Sequence, residues 1–150
     1  MNITIRKAIT ADIPGLSSLF DRYRVFYNKQ TDIGAARLFI MERIKQGDAE
    51  IFVAETEDGT LAGFTQLYPL FSSTRMQKMW LLNDLYVSEN FRGQGISKAL
   101  IAAAKALATE TNACGLLLET AKTNTIGNQL YPATGFELQD ESNFYFWTNK

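Results

Sequence analysis

One junction in the sequence constrains the fold more than any other. The β-rich apolar run WLLNDLYV is followed by the octet NFRGQGIS, at residues 90–97, and then by the alanine-rich run KALIAAAKALA. Strand formers thus give way to strong helix formers across a turn with two glycines, and glycine adopts φ > 0 without steric cost. The first amides of a helix have no intrahelical partner and lie at the positive end of its dipole. The junction therefore predicts a strand–turn–helix unit that can hold an anion.

Hydrophobic periodicity predicts the other elements. The expected strands lie at residues 3–8, 50–56, 60–71, 78–87, 115–120, 136–140 and 144–148. The expected helices lie at residues 13–27, 32–46, 96–108 and 125–133. We expect Thr10 or Asp12 to cap the first helix. The second helix has apolar residues at Leu38, Phe39, Met41 and Ile44, and Gly47 is expected to end it. This order predicts the α/β class, with one domain over residues 1–150 whose mixed, mostly antiparallel sheet is flanked by helices.

Composition and charge exclude several classes of function. The chain has 150 residues, is 46% hydrophobic and carries 15 basic against 16 acidic residues, a formal net charge of -1. That balance argues against nucleic-acid or anionic-membrane partners. No apolar run approaches the roughly 20 residues of a membrane span, and residues 1–7 lack a signal-peptide core. We therefore expect a cytoplasmic protein.

Two residue types are rare enough to limit the chemistry. The sequence has no histidine and one cysteine. Ser-His-Asp triads, histidine metal sites and an internal disulfide are thereby excluded, and no metal is expected.

The glycine turn does not fit the common nucleotide motifs. A dinucleotide fingerprint needs a third glycine where Lys98 stands, and a Walker loop needs a terminal Gly-Lys-Ser/Thr. If residues 90–97 are considered by themselves, the alternative interpretation is a turn with a purely structural role.

A second motif, TNTIGNQLYPATGF at residues 123–136, contains Asn124, Tyr131 and Gly135-Phe136. With the strand order, it makes essentially the whole chain resemble the GCN5-related N-acetyltransferase (GNAT) superfamily. The phosphate loop of that family reads Q/R-x-x-G-x-G/A. Gly93 and Gly95 match it, whereas Asn90 departs from it. Gly127 stands where many members have alanine, so a small residue is retained.

The resemblance implies coenzyme A binding, with acetyl-CoA as co-substrate. The pyrophosphate would be held by main-chain amides of the turn and helix start, namely Arg92, Gly93, Gln94, Gly95, Ile96 and Ser97, with charge from Arg92 or Lys98. The pantetheine arm would meet main-chain groups of Leu85, Tyr86 and Val87 and the side chain of Asn124.

The resemblance also implies a chemistry of acetyl transfer to an amine. Tyr131 would protonate the leaving thiolate, although a tyrosine in a short helix also packs well as an amphipathic residue. Related polyamine acetyltransferases carry LED on the strand before the turn and assign the base to its glutamate. Asn83 stands at that position and cannot act as a base. Asp84 is the candidate base, although a carboxylate beside a core strand could equally anchor a loop. Glu119 is a weaker candidate for the base.

The acceptor is expected to be a primary amine, either a small molecule or peptidyl. Phe26, Tyr27 and Asp32 could bind an alkyl amine cation, although helix aromatics commonly pack in cores. The stretches YRVFY and GFTQLYP are similar to fungal histone and polyamine acetyltransferases. A non-catalytic acyl-CoA sensor of the same fold is the competing hypothesis.

Aromatic residues 144–147 suggest a sheet edge that pairs two copies of the chain as a homodimer.

Overall fold

A computed structural model describes residues 2–150, which form two compact units. The first unit ends at Glu119 and the second spans Thr120–Lys150. The strands of the first unit are β1 (Ile3–Lys7), β2 (Glu50–Thr56), β3 (Leu61–Ser72), β4 (Gln77–Val87) and β5 (Leu116–Leu117). Its helices are α1 (Ile13–Phe26), α2 (Ile33–Gln46) and α3 (Ile96–Glu110). The second unit contains α4 (Thr125–Ala133).

The five strands form one sheet in the order β1-β2-β3-β4-β5. The first four strands pair antiparallel, and β5 pairs parallel to β4. Strands β2 and β3 form a hairpin that turns at Gly59, whose φ of 87° favours glycine. The expected α/β class with a mixed, mostly antiparallel sheet is confirmed.

The caps of the first two helices differ from each other. Asp32 caps α2 by accepting a hydrogen bond from the Ala35 amide at 3.1 Å, and Gly47 ends the helix with a φ of 63°. Asp12 precedes α1 without capping it, because its carboxylate accepts two hydrogen bonds from Arg6 and one from the Ile9 amide. Arg6 therefore ties β1 to the start of α1, and Thr10 lies in a short 3-10 turn.

The core between the sheet and the first two helices is apolar. Its members include Leu16 and Leu19 on α1, Ile40 on α2 and Phe64 on β3, all fully buried. The buried residues of α2 are Ala36 and Ile40. Of the four apolar residues singled out in α2, Ile44 packs against this core, whereas Leu38 and Met41 are 55% and 41% exposed. Phe39 is 36% exposed and stacks on the ring of Phe20 at 5.5 Å. The sequence of α2 is apolar around much of its circumference, so periodicity did not single out its packed face.

The last part of the chain departs most from the sequence prediction. Strand β5 has only two residues, both half-buried, where a strand over residues 115–120 was expected. Residues 136–140 and 144–148 form no strands. The aromatic residues of the final segment are largely exposed: Phe144 72%, Tyr145 91%, Phe146 92% and Trp147 80%. A strand requires a hydrogen-bonding partner, which β-propensity alone does not supply.

Candidate functional site

One extra residue in β4 shapes the candidate site. Gln66 on β3 pairs with Asp84, but the next residue, Leu67, pairs with Leu82. Asn83 is therefore a β-bulge, which interrupts the ladder and bends the strand. Strand β5 pairs with Trp80 and Leu81, before the bulge. Beyond the bulge, β4 pairs with β3 on one side, and no strand of the first unit pairs with its other edge, which is therefore open within that unit.

Alternation of hydrogen bonds decides which main-chain groups face this open edge. The Ser88 amide donates to the Ala62 carbonyl at 2.8 Å, which makes these residues a hydrogen-bonded pair. In an antiparallel ladder such pairs alternate, so the main-chain groups of Tyr86 point toward β3. Those of Leu85 and Val87 point toward the open edge. Of the three residues expected to meet a ligand through the main chain, Leu85 and Val87 thus have the suitable orientation.

The glycine turn lies beside the same end of β4. Gly93 and Gly95 have φ values of 77° and 80°, which favour glycine strongly over other residues. Gly95 directly precedes α3, and Ala99 donates the first helical hydrogen bond to the Gly95 carbonyl at 3.1 Å. The amides of residues 96–98 precede that ladder and form the positive end of the helix dipole. The turn and helix start therefore have the geometry of an anion site.

Arg92 links the glycine turn to its neighbours. Its Nε donates to the Val87 carbonyl at 3.0 Å. Its guanidinium carbon lies 5.6 Å from the ring centre of Tyr86 and 6.0 Å from that of Phe26. Arg92 is thus held along the open edge of β4 and against the end of α1, while Lys98 is exposed on α3.

Asp84 is a buried carboxylate, with 4% of its surface exposed. It accepts hydrogen bonds from Gln66 Nε2 at 2.7 Å and from Asn83 Nδ2 at 3.1 Å. Tyr23 of α1 donates to the Asn83 carbonyl at 3.2 Å. Burial raises the pKa of Asp84, and hydrogen bonds from Gln66, Tyr23 and Asn83 partly oppose that rise. A carboxyl with a raised pKa can exchange protons nearer to neutral pH than an ordinary aspartate.

Another buried carboxylate, Asp21, fixes the loop between α1 and α2. It accepts hydrogen bonds from the Thr31 hydroxyl at 2.5 Å and from the Asp32 amide at 2.7 Å. These bonds lower the pKa of Asp21. Phe26 and Tyr27, expected to meet an acceptor, are 54% and 38% exposed at the start of this loop.

The second unit holds the other predicted site residues. Asn124 caps α4 by accepting from the Gly127 amide at 3.1 Å, and its Nδ2 donates to the Thr120 hydroxyl at 2.9 Å. Tyr131 is half-buried, and its ring centre lies 5.8 Å from that of Phe136. A Cβ atom at residue 127 would lie 2.6 Å from Asn124 Nδ2 and 3.3 Å from Tyr131 Cε2. Glycine in place of the usual alanine therefore allows Asn124 and Tyr131 to pack as they do.

Sequence reasoning missed three residues of the first unit, namely Asp21, Tyr23 as a hydrogen-bond donor, and Gln66. The signal for Gln66 was present, because it is a polar residue inside the apolar strand stretch GFTQLYP. For Asp21 and Tyr23 no local signal existed, since their partners are remote in sequence.

Two other predicted site residues have the following positions. Asp32 uses a carboxylate oxygen to cap α2, and Glu119 is exposed.

Two further properties concern the described residues. Between residues 2 and 150, no helix has both the length and the apolar character needed to span a bilayer. The same residues include no group of three or more histidine, cysteine or acidic side chains that could hold a metal ion.

Comparison with known proteins shows similarity to acetyltransferases. The Acetyltransferase (GNAT) family profile matches residues 16–136. The uncharacterized N-acetyltransferase YhfO of Bacillus subtilis is 38% identical over 135 residues, or 90% of each chain. A probable acetyltransferase of Haemophilus influenzae is 28% identical over 139 residues, or 93% of each chain. The crystal structure of a probable acetyltransferase has a TM-score of 0.91 at 32% identity, covering 100% of this chain and 99% of that one.

These matches establish the class of protein. The chain belongs to the acetyltransferase (GNAT) family and has its α/β fold. It is an acyltransferase of the N-acetyltransferase kind.

The raised pKa of Asp84 predicts how stability depends on pH. Because folding favours the protonated acid, the contribution of Asp84 is full below the pKa of an unfolded aspartate, about 4, and declines as pH rises through the folded-state pKa. Asp84→Asn has no charge to bury. Its free energy of unfolding, measured by urea denaturation, should therefore improve relative to the wild type as pH rises above about 4.

Asp21→Asn is the matched control, because the pKa of Asp21 is lowered. This variant should be less stable than the wild type at neutral pH, and the deficit should shrink as pH falls below about 4. A difference between Asp84→Asn and the wild type that stays constant with pH would contradict the assignment.

Proposed function

We propose that this enzyme transfers an acetyl group from acetyl-CoA to a primary amine by direct attack. The observation that carries the proposal is the open edge of β4 after the bulge, which lies beside the start of α3. A strand edge with outward main-chain groups suits the amide-bearing pantetheine arm. A helix start behind a glycine turn suits the pyrophosphate. Acetyl-CoA would supply the activated acetyl thioester.

The residues of the first unit fit coenzyme A as follows. Leu85 and Val87 would hydrogen-bond the pantetheine arm through the main chain. The open space beside Gly93 and Gly95 lets phosphate oxygens approach the backbone closely. The pyrophosphate would be held by the amides of Arg92, Gly93, Gln94, Gly95, Ile96 and Ser97. Lys98 would add charge, as would the part of the Arg92 guanidinium that does not bind Val87.

Asp84 is the proposed base for the acceptor amine. An alkyl ammonium must lose a proton before it can attack, and a general base has to be ionised at the working pH while still accepting a proton readily. Burial of Asp84 among uncharged hydrogen-bond donors is consistent with that role. The exposed rings of Phe26 and Tyr27 would contact the alkyl part of the acceptor and support its positive charge.

Tyr131 is the proposed general acid for the leaving thiolate, and Asn124 the proposed second ligand of the pantetheine arm. Support comes from their motif, which falls within residues 16–136, the part that the family profile matches. In this proposal residues 1–150 act as one catalytic domain. The similarity of YRVFY and GFTQLYP to fungal histone and polyamine acetyltransferases favours a polyamine or lysine-like acceptor.

The glycine turn can be tested with Gly93→Val. A β-branched side chain would meet phosphate oxygens and strain the positive φ of 77°. Losing one charge-assisted hydrogen bond should weaken acetyl-CoA binding about tenfold or more by calorimetry. Gly59→Val is the control, because Gly59 has a φ of 87° and equally open surroundings in the β2–β3 turn. If both variants bind acetyl-CoA like the wild type, the pyrophosphate site lies elsewhere.

The acid role can be tested with Tyr131→Phe. Because this change deletes a hydroxyl and little volume, acetyl-CoA should bind within a few-fold of wild type. Turnover should fall toward the lower end of the roughly 100- to 10,000-fold range of general acid catalysis, since coenzyme A is a fairly good leaving group. The loss should appear in kcat. The measurement is thiol release over a panel of primary amines that includes spermidine and lysine.

Tyr145→Phe is the control for this test, because Tyr145 is 91% exposed in the same unit. It should turn over like the wild type. Wild-type turnover by Tyr131→Phe would remove Tyr131 from the mechanism. Binding of acetyl-CoA without turnover of any amine by the wild type would favour the acyl-CoA sensor.

We also propose a cytoplasmic homodimer. Four consecutive aromatic residues, 144–147, are each at least 72% exposed, and such patches commonly mark interaction sites. Light scattering should give twice the mass of one chain for the wild type and one chain mass for the double variant Phe146→Ser, Trp147→Ser. Phe71→Ser, at a 79% exposed residue of β3, should stay dimeric. A monomeric wild-type protein would exclude the dimer.

A further inference from the structure

Gln66 lies at the centre of the sheet, directly opposite Asp84 in the ladder between β3 and β4. Its side chain is fully buried. Its Nε2 donates to Asp84 Oδ2 at 2.7 Å, the shorter of the two side-chain hydrogen bonds from Gln66 and Asn83 to this carboxylate. The reverse orientation of the amide would put Oε1 against a carboxylate oxygen, and two acceptors repel each other. The ionised form of Asp84, which is the form that acts as a base, therefore fixes the carboxamide orientation.

This orientation leaves the other polar atom of Gln66 without a partner. Oε1 is buried and accepts no hydrogen bond from any group within residues 2–150. Buried carbonyl oxygens are nearly always hydrogen-bonded, to protein or to ordered water, because an unpaired one destabilises the fold. The arrangement points to a bound polar partner at Oε1.

The surroundings of Asp84 define what that partner can be. The groups that face Asp84 are Tyr23 from α1, Asn83 from β4, and Gln66 and Tyr68 from β3. The charges of Arg43 and Asp48 act on Tyr68, from α2 and the segment that follows it. Asn83 is exposed and donates to Asp84 Oδ1, so the hydrogen-bond network of Asp84 reaches the surface through the Asn83 side chain. A water molecule is small enough to lie between the surface and this carboxylate and can both donate and accept a proton.

We propose that Gln66 is a positioning residue for proton transfer: its nitrogen orients Asp84, and its carbonyl oxygen holds a water molecule that relays the proton of the acceptor amine to Asp84. The inference rests on the proposed function of Asp84 as the base. In the relay, the ammonium N–H bond breaks and its proton joins the water. The water gives one of its own protons to Asp84 Oδ. The products are a neutral amine, an unchanged water molecule and a protonated carboxyl.

Gln66→Met tests this role, because it keeps an unbranched side chain of similar length and removes both polar atoms. Loss of the Nε2 donor destabilises the carboxylate, so the pKa of Asp84 should rise further. The measurement is a ¹³C NMR titration of protein labelled at the aspartate carboxyls, with the Asp84 signal assigned from Asp84→Asn. With an amine that the wild type turns over, the acid limb of kcat/KM should move to higher pH. Activity on that limb should fall roughly tenfold.

Thr65→Val is the matched control. Thr65 is equally buried beside Gln66, and its hydroxyl donates to the main-chain carbonyl of Asp84 at 2.8 Å. The variant removes a buried hydrogen bond to the same residue without touching the carboxylate. It should lower stability and leave both the Asp84 titration and the pH profile unchanged. If Gln66→Met and Thr65→Val shift the Asp84 titration and the pH profile of kcat/KM equally, Gln66 is not a positioning residue.

The wild-type protein provides a test that needs no variant to fold. A high-resolution crystal structure should show ordered water within hydrogen-bonding distance of Gln66 Oε1. The absence of ordered water at this atom would overturn the relay. Failure of the inference is distinct from failure of the proposed function. If Asp84→Asn is inactive while Gln66→Met changes neither the titration nor the pH profile, only the role of Gln66 is wrong. If Asp84→Asn turns over like the wild type, the base itself is wrong.

Discussion

The candidate site depends on a single extra residue in a β-strand. Asn83 interrupts the ladder between β3 and β4, and the pairing of β4 with β5 ends two residues before it. Because β-bulges bend a strand, β4 continues beyond this point with β3 on one side and an open edge on the other. The same interruption places Asp84 opposite Gln66. One backbone irregularity thus provides both a main-chain edge for a donor substrate and the position of a buried carboxylate.

Asp21 and Asp84 are both buried carboxylates, but the protein shifts their pKa values in opposite directions. Asp21 is bound by a hydroxyl and a main-chain amide, and its pKa is lowered. It serves as a structural anchor for the loop that follows α1. For Asp84, burial outweighs hydrogen bonding, and the pKa is raised. The difference arises because desolvation destabilises a charge in proportion to its burial, whereas only sufficiently strong hydrogen bonds to the charged form compensate. A carboxyl left with a raised pKa is the better proton carrier.

Local sequence predicted those parts of the site whose geometry is set by neighbours in the chain. Gly93 and Gly95 were recognised because a positive φ in a strand–helix turn calls for glycine, and both have positive φ. Asn124 and Gly127 lie three residues apart at a helix start and contact each other. The pairing of Gln66 with Asp84 spans 18 residues, and the contact of Arg92 with Phe26 spans more. Such contacts depend on strand register and on helix packing, which no local pattern specifies.

The sequence by itself determined the class of the fold, the bounds of most helices and strands, and the family resemblance carried by the glycine turn and by the motif around Tyr131. These features depend on backbone propensity and on spacing within a few residues. Only the tertiary structure decided where β4 is interrupted, which main-chain groups of residues 85–87 face outward, and that Asp84 is buried beside Gln66. It also showed that β-prone residues 136–148 form no strands, because a strand exists only where a partner completes its hydrogen bonds.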